Sequence, residues 1–120
     1  MSFENNNEQG FRLRADIFEM GSGNGDLAGY RGFRMGFANG YAISVQFGTT
    51  NYCAANGSRV PGGVGANGNA GEWLEANCPD AEIAIIAPDG KFVPFKDGND
   101  VRGHTPPDSL AEIIAWVVKQ

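Results

Sequence analysis

The stretch Phe33-Arg34-Met35-Gly36-Phe37-Ala38-Asn39-Gly40-Tyr41-Ala42-Ile43-Ser44-Val45-Gln46-Phe47 decides the fold of this chain. Asn-Gly is typical of hairpin turns, but a two-residue loop would place Phe37 opposite Ala42 and mix the apolar with the polar face. A three-residue loop, 38–40, keeps the faces separate and uses Gly40 as its left-handed residue. The pairs predicted by that loop are Phe37 with Tyr41, Met35 with Ile43 and Phe33 with Val45.

A second hairpin of the same kind is predicted from Glu82 to Phe95. Its three-residue loop is Pro88-Asp89-Gly90, in which proline presets the turn and glycine closes it. The predicted pairs are Ile85 with Val93, Ile83 with Phe95 and, on the other face, Ile86 with Phe92. Pro94 has no amide proton to donate, so its strand is predicted at an edge of the sheet.

A further strand is predicted over residues 11–17, because apolar and polar residues alternate there. Its apolar face is formed by Phe11, Leu13, Ala15 and Ile17. Such alternation is typical of a half-buried strand. Together with the two hairpins it predicts an antiparallel sheet of about five strands.

The chain ends in a predicted helix, which makes the fold class α+β. Thr105-Pro106-Pro107-Asp108 has the pattern of a capping box with proline in the first turn. The helical stripe that should cover one sheet face consists of Leu110, Ile113, Ile114 and Val117. Ala111 and Val118 widen this apolar arc, which indicates self-association, with core packing alone as the alternative.

The length of 120 residues allows one domain. We expect a flexible N-terminus over residues 1–10 and a single α+β domain over 11–120. Its least ordinary part is a Gly- and Asn-rich excursion at 54–80, since connections of this length are usually functional or disordered. Of the 18 glycines, seven lie between Gly21 and Gly40 and six between Gly57 and Gly71, which predicts turns and loops there.

Charge and hydropathy exclude several classes of protein. The formal net charge is -5 and the sequence pI is near 4.7, which argues against a general nucleic-acid binder. No apolar run approaches the roughly 20 residues that cross a bilayer. The opening residues lack the features of a secretory signal, so a soluble cytoplasmic protein is expected.

Residues that could carry catalysis are scarce, and the chain is not expected to be an enzyme. His104 is the single histidine, and no Gly-x-Ser-x-Gly motif is present. Cys53 and His104 could be drawn as a nucleophile and base, but no family signature surrounds them. Cys53 and Cys78 lack metal-ligand spacing and are expected to be buried thiols, a disulfide being the alternative under oxidising conditions. No cofactor and no metal are predicted.

The candidate ligand-binding residues are Arg59, Arg102, Phe92, Asn51 and His104. In an acidic protein a few arginines must supply any anion binding, and arginine makes bidentate phosphate contacts. Phe92 could stack a base, with core packing as the alternative. Asn51 and His104 would orient ribose or base edges.

The segment Ile43–Cys53, which contains Ser-Val-Gln-Phe-Gly and Asn-Tyr-Cys, resembles a segment of small proteins from tailed bacteriophages. The resemblance continues in Asp80–Ala84 and in Gly103, Pro107-Asp108 and the final helix. The chain is also similar in size and predicted architecture to the first Thoeris anti-defence family. Those phage proteins sequester cyclic ADP-ribose signals, using arginines and an aromatic residue at subunit interfaces, without hydrolysing the ligand.

The resemblance implies a phage anti-defence protein that binds and sequesters a cyclic nucleotide-type immune signal in the cytoplasm of the infected bacterium. The expected partners are a small nucleotide-derived molecule, such as a cyclic ADP-ribose isomer, and further copies of the chain. An alternative is a protein-binding inhibitor of a host defence enzyme, similar to an anti-CRISPR, whose surface would be 59–73 and the edge at Pro94. A minor virion component is a further alternative.

Overall fold

The computed structural model describes residues 7–19, 27–58 and 77–120. They form five strands and one helix: β1 Gly10–Glu19, β2 Leu27–Gly36, β3 Ala42–Gln46, β4 Ala81–Ile86, β5 Val101–Thr105 and α1 Pro107–Val117. The strands lie in chain order in one sheet, and every neighbouring pair is antiparallel. The predicted α+β class, with a helix packed on one sheet face, is confirmed.

The hairpin of β2 and β3 has the predicted register. Met35 lies opposite Ile43 and Phe33 opposite Val45. The Phe37 amide donates to the Tyr41 carbonyl oxygen at 2.8 Å, and Gly40 has a φ of 87°. The three-residue loop is therefore confirmed, because only that loop keeps the apolar residues on one face.

The second predicted hairpin forms its turn but not its outer strand. The Val93 amide donates to the Ile85 carbonyl oxygen at 2.9 Å, and Phe92 makes an isolated bridge to Ile86. Beyond them Pro94 lacks a donor, and the Phe95 amide turns to the Asn99 carbonyl oxygen at 2.9 Å. The fifth strand of the sheet is β5, which the sequence did not predict as a strand, and Ile83 pairs with Arg102 instead of Phe95.

The glycine-rich stretch between Gly21 and Gly40 was expected to be turns and loops, but much of it is strand β2. Gly32 shows why glycine is tolerated inside this strand. A Cβ atom at Gly32 would lie 2.2 Å from the Val45 carbonyl oxygen of β3. Glycine here permits a close approach of two backbones, which a loop-based interpretation of glycine overlooks.

Helix α1 packs on the sheet through the predicted stripe. Val117 is fully buried, and Leu110, Ile113 and Ile114 pack against the buried cluster of β3 and β4. Pro107 occupies the first turn as predicted, but the capping box is wrong, because the N-cap is Pro106 and no side chain caps the helix. The Thr105 hydroxyl instead donates to the Arg102 carbonyl oxygen at 3.0 Å.

The apolar face of β1 is exposed at Phe11, Leu13 and Ala15 and half-buried only at Ile17, contrary to the half-buried strand predicted there. Phe11 and Leu13 are 82% and 78% exposed, although they lie opposite Met35 and Phe33 on the face that carries the helix. Five strands spaced about 4.8 Å apart span more width than one helix of about 10 Å diameter can cover. The alternation therefore predicted the face of each side chain correctly, but not its burial.

Asn7 fixes the backbone within the segment predicted to be flexible at 1–10. Its side chain is buried and donates to the carbonyl oxygens of Gly40 and Ala87, at 2.8 Å and 2.7 Å. Arg34 donates to its side-chain oxygen. Asn7 thus connects the two hairpin turns. Among the described residues, no helix has the length and apolarity that a membrane crossing requires.

Candidate functional site

An open cleft of about 570 Å³ lies at the β5 edge of the sheet, and we call it the Tyr52 cleft. It lies between the loop that follows β3, the turn at 95–99 and strand β5. Its lining residues are Tyr52, Asp97, Asn99, Asp100, Val101, Arg102, Gly103 and His104. The volume is within the range of small-molecule sites, roughly 300–1,000 Å³.

A β-bulge in β5 shapes this cleft. Ala81 pairs with Thr105 and Ile83 with Arg102, so β5 has one more residue than β4 between the two pairs. The bulge leaves His104 in a left-handed conformation with a φ of 50°. Its amide leaves the ladder and donates to the Tyr52 carbonyl oxygen at 2.8 Å. This bond attaches the Tyr52 loop to the edge of the sheet.

Tyr52 is held by its backbone, while its ring is free to make contacts. The Tyr52 amide donates to a carboxylate oxygen of Glu82 at 2.8 Å, and the side chain is 62% exposed. A Cβ atom at Gly103 would lie 2.8 Å from the Tyr52 Cβ. Gly103 is therefore the residue that lets the loop pack so closely on β5, with the aromatic ring left in solvent at the cleft.

The cleft carries charges of both signs. Arg102 and His104 are exposed on one strand, and Asp97 and Asp100 lie on the adjacent turn. The two oxygens of Asp97 accept bonds from the Asn99 amide and side chain, at 2.9 Å and 3.1 Å. A ligand that combines an anionic group with hydroxyl donors would satisfy such a lining, because the guanidinium donates and the carboxylates accept.

Behind the cleft lies a group of polar side chains that join the loop after β3 to the start of β4. The His104 Nδ1 atom lies 3.3 Å from Asp80 Oδ2, and the Ala54 amide donates to Asp80 Oδ1 at 2.6 Å. The Sγ atoms of Cys53 and Cys78 lie within 4.8 Å of each other and of an Asp80 carboxylate oxygen. The sequence spacing did not reveal this group, because 24 residues separate the cysteines and only the pairing of β3 with β4 brings them together.

The two cysteines are free thiols. Cys53 is buried as predicted, and Cys78 is half-buried. Burial raises the pKa of the Cys53 thiol to about 11, and the Cys53 Sγ atom donates to the Gly48 carbonyl oxygen at 3.4 Å. A thiol that retains its proton is a poor nucleophile. The imidazole of His104 contacts Asp80, so the arrangement gives no support to Cys53 as a nucleophile with His104 as its base.

Two of the five predicted binding residues, Arg102 and His104, come together in the cleft. Asn51 lies next to it, but its amide serves the fold, accepting from the Gly48 amide at 2.9 Å and donating to Glu82 at 3.4 Å. Phe92 is 52% exposed and does not line the cleft. Arg59 lies outside the residues that the structure describes.

The aromatic residue that lines the cleft is Tyr52, which was not among the predicted binding residues. The sequence contained a signal for it, since Tyr52 is the central residue of the Asn-Tyr-Cys motif that carries the phage resemblance. Comparisons with protein-family models, with curated proteins and with solved structures found no match.

Proposed function

We propose that this chain is a phage anti-defence protein that binds a small cyclic nucleotide-type signal in the Tyr52 cleft and sequesters it unchanged. The observation that carries the proposal is the meeting of Arg102, His104 and the exposed Tyr52 ring in one cleft of about 570 Å³. The choice of ligand class also rests on the resemblance of the Ile43–Cys53 segment to phage proteins. The site of action would be the cytoplasm of the infected bacterium.

Each lining group has a counterpart in a nucleotide. The Arg102 guanidinium would donate to a phosphate, and the Tyr52 ring would stack on the base. Asp97 and Asp100 would accept hydrogen bonds from ribose hydroxyls. The negative charges of these carboxylates would repel a ligand that consists only of clustered phosphates. They therefore favour a ligand in which phosphate and sugar alternate.

Sequestration without reaction agrees with the chemistry of the cleft. Its lining supplies a guanidinium, an imidazole, carboxylates and a phenol but no thiol, and burial raises the pKa of the Cys53 thiol to about 11. The test is isothermal titration of the reduced full chain with cyclic ADP-ribose isomers and cyclic oligonucleotides, followed by mass spectrometry of the released ligand. Binding of one panel member and its intact recovery are expected, whereas no binding across the panel, or recovery of a cleaved product, would overturn the proposal.

Matched variants locate the binding in the cleft. Arg102→Ala should weaken affinity about tenfold or more, as expected for loss of a charge-assisted phosphate contact. Arg12→Ala is its control, because Arg12 is an exposed strand arginine on β1, at the opposite edge of the sheet. Tyr52→Ala is paired in the same way with Phe92→Ala, which removes an exposed aromatic ring outside the cleft.

A second candidate function, a protein-binding inhibitor of a host defence enzyme, is favoured by one observation. Strand β1 is an edge of the sheet and exposes Phe11 and Leu13. An exposed apolar edge strand is a template for strand addition by a partner. The same surface could join copies of this chain into the homo-oligomer that the sequence leads us to expect. Native mass spectrometry of the pure wild type and of the Phe11→Thr/Leu13→Thr variant distinguishes a host-binding surface from an interface between copies. Oligomers of the pure wild type that the variant loses would identify an interface between copies, whereas a monomeric wild type would favour a host partner.

A further inference from the structure

We propose that Cys53, Cys78 and Asp80 bind one Zn²⁺ ion. The two Sγ atoms and a carboxylate oxygen lie within 4.8 Å of one another, which makes a group of three metal-ligating atoms without any rearrangement of the backbone. The proposal goes beyond the nucleotide-binding function and does not depend on it. No lining residue of the Tyr52 cleft is a proposed ligand.

The separations of the donor atoms suit a tetrahedral ion. With Zn–S bonds of about 2.3 Å and Zn–O bonds of about 2.1 Å, tetrahedral ligands are separated by roughly 3.5–3.8 Å. The Cys78 Sγ atom lies 4.0 Å from Asp80 Oδ1. A side-chain movement of well under 1 Å per ligand therefore closes the site around an ion, and the two thiols release their protons to solvent as the metal–sulfur bonds form. The described residues supply three donors, so a water molecule would complete a tetrahedral set.

The fold holds the three ligands on two connected elements. Cys53 lies on the loop after β3 and is fully buried, which restricts the rotation of its side chain. Cys78 and Asp80 precede β4, the strand that pairs with β3. Cys78 and Asp80 also line a small open groove of about 150 Å³ beside the start of α1, which provides a route for an ion from solvent.

The surroundings of Asp80 orient its carboxylate. Asp80 Oδ1 accepts from the Ala54 amide at 2.6 Å, and Asp80 Oδ2 lies 3.3 Å from His104 Nδ1. Hydrogen bonds of this kind to a ligating carboxylate fix its direction, and their loss typically reduces metal affinity about 10–100-fold. His104 is therefore a positioning residue for the site, in addition to lining the cleft.

The donor set selects the class of metal. Two sulfur ligands exclude Mg²⁺ and Ca²⁺, which require oxygen, and favour Zn²⁺ or chemically similar soft ions. A disulfide between the same cysteines is the competing state under oxidising conditions, since the two Sγ atoms lie within 4.8 Å of each other. The experiment must distinguish the metal site from the disulfide.

The test uses the full chain, reduced with a phosphine, stripped with a chelator and titrated with Co²⁺ alone as the spectroscopic probe. We expect one ion per chain, a sulfur-to-metal charge-transfer band in the near ultraviolet, and displacement of the band by one equivalent of Zn²⁺. Cys78→Ser and Asp80→Asn should each weaken binding about tenfold or more. Glu82→Gln is the control, because Glu82 is a neighbouring carboxylate that holds the same loop but is not a ligand.

Cys78→Ser is chosen because Cys78 is half-buried, whereas a change at the buried Cys53 could prevent folding. The proposal is overturned if the reduced wild type shows no charge-transfer band, or if Cys78→Ser retains the full band. It is also overturned if Glu82→Gln weakens Co²⁺ binding as much as Asp80→Asn does. A chain that forms the disulfide and takes up no Co²⁺ after reduction would overturn it as well. Since no nucleotide is present, the result is independent of the ligand titration that tests the proposed function.

Discussion

The imidazole Nδ1 atom of His104 lies 3.3 Å from the Oδ2 atom of Asp80. The backbone amide of His104 donates to the Tyr52 carbonyl oxygen at 2.8 Å. One residue in a β-bulge therefore contacts both the polar group behind the Tyr52 cleft and the loop that forms its wall. His104 also has a φ of 50°, the left-handed region that costs an ordinary side chain about 1–2 kcal/mol. The bulge thus stores strain next to the proposed site.

Because of this strain, we predict that glycine at position 104 gives a more stable protein than alanine, the reverse of the usual order in a strand. In an ordinary strand, glycine is less stable than alanine by roughly 0.5–1 kcal/mol. Here His104→Gly should be more stable than His104→Ala by about 1 kcal/mol, because only alanine retains the left-handed penalty. Urea unfolding of the two variants measures the difference. Equal stability, or a more stable alanine variant, would show that the bulge is not strained.

Gly103 controls the position of Tyr52. Gly103→Ala would place a Cβ atom 2.8 Å from the Tyr52 Cβ, so the loop must move away from β5. We expect a stability loss of about 1–3 kcal/mol, as for other overpacked sites, together with a loss of ligand affinity of about tenfold or more. Gly36→Ala is the control, because its added Cβ atom would meet the Glu8 backbone and so overpack a site outside the cleft lining, which should lower stability without changing affinity. An unchanged ligand affinity in Gly103→Ala would show that the position of the Tyr52 loop does not control binding.

Strand β1 should contribute little to stability through its apolar side chains. Phe11→Thr and Leu13→Thr place a β-branched strand former at positions that are 82% and 78% exposed, so each should change the free energy of unfolding by about 0.5 kcal/mol or less. Ile43→Ala, at a fully buried position, should cost about 3 kcal/mol. Chemical denaturation at two protein concentrations checks this. If the threonine variants lose much more stability than this, and the loss grows with protein concentration, β1 would be an interface between copies.

The Cys53 thiol predicts a loss of stability at high pH. Burial raises its pKa in the folded chain from 9.0 to about 11. The folded state therefore holds the proton more tightly than the unfolded state, so this contribution is complete below pH 9 and decreases as the pH rises toward 11. The free energy of unfolding of the metal-free wild type and of Cys53→Ala, measured from pH 9 to 11, tests this contribution. Parallel pH profiles for the two proteins would be inconsistent with the buried protonated thiol.

The sequence predicted those parts of the fold that depend on local pattern. The hairpin of β2 and β3 followed from the requirement that Phe33, Met35 and Phe37 share a face, and the helix stripe followed from its period. The strand at β5 was missed because Val101-Arg102-Gly103-His104-Thr105 contains a bulge and shows no clean alternation. Burial of Phe11 was predicted wrongly, since it depends on how far one helix reaches across the sheet.

The site was predictable only in part for the same physical reason. Arg102 and His104 were identified by residue type, and strand β5 places both at the cleft. Their meeting with Tyr52 depends on a hydrogen bond across 52 positions of sequence, which no local pattern encodes. The approach of Cys53 to Cys78 likewise requires the register of β3 with β4.

The most direct test of the central claim, that the Tyr52 cleft is the ligand site, is a chemical-shift map. Two-dimensional amide NMR spectra of this 12.7 kDa chain are recorded with and without the panel nucleotide that binds. We predict shifts concentrated at Tyr52, Asn99, Arg102, Gly103 and His104, with the amides of β1 unchanged. Shifts confined to β1, or no shifts at the β5 edge under saturating ligand, would contradict that claim.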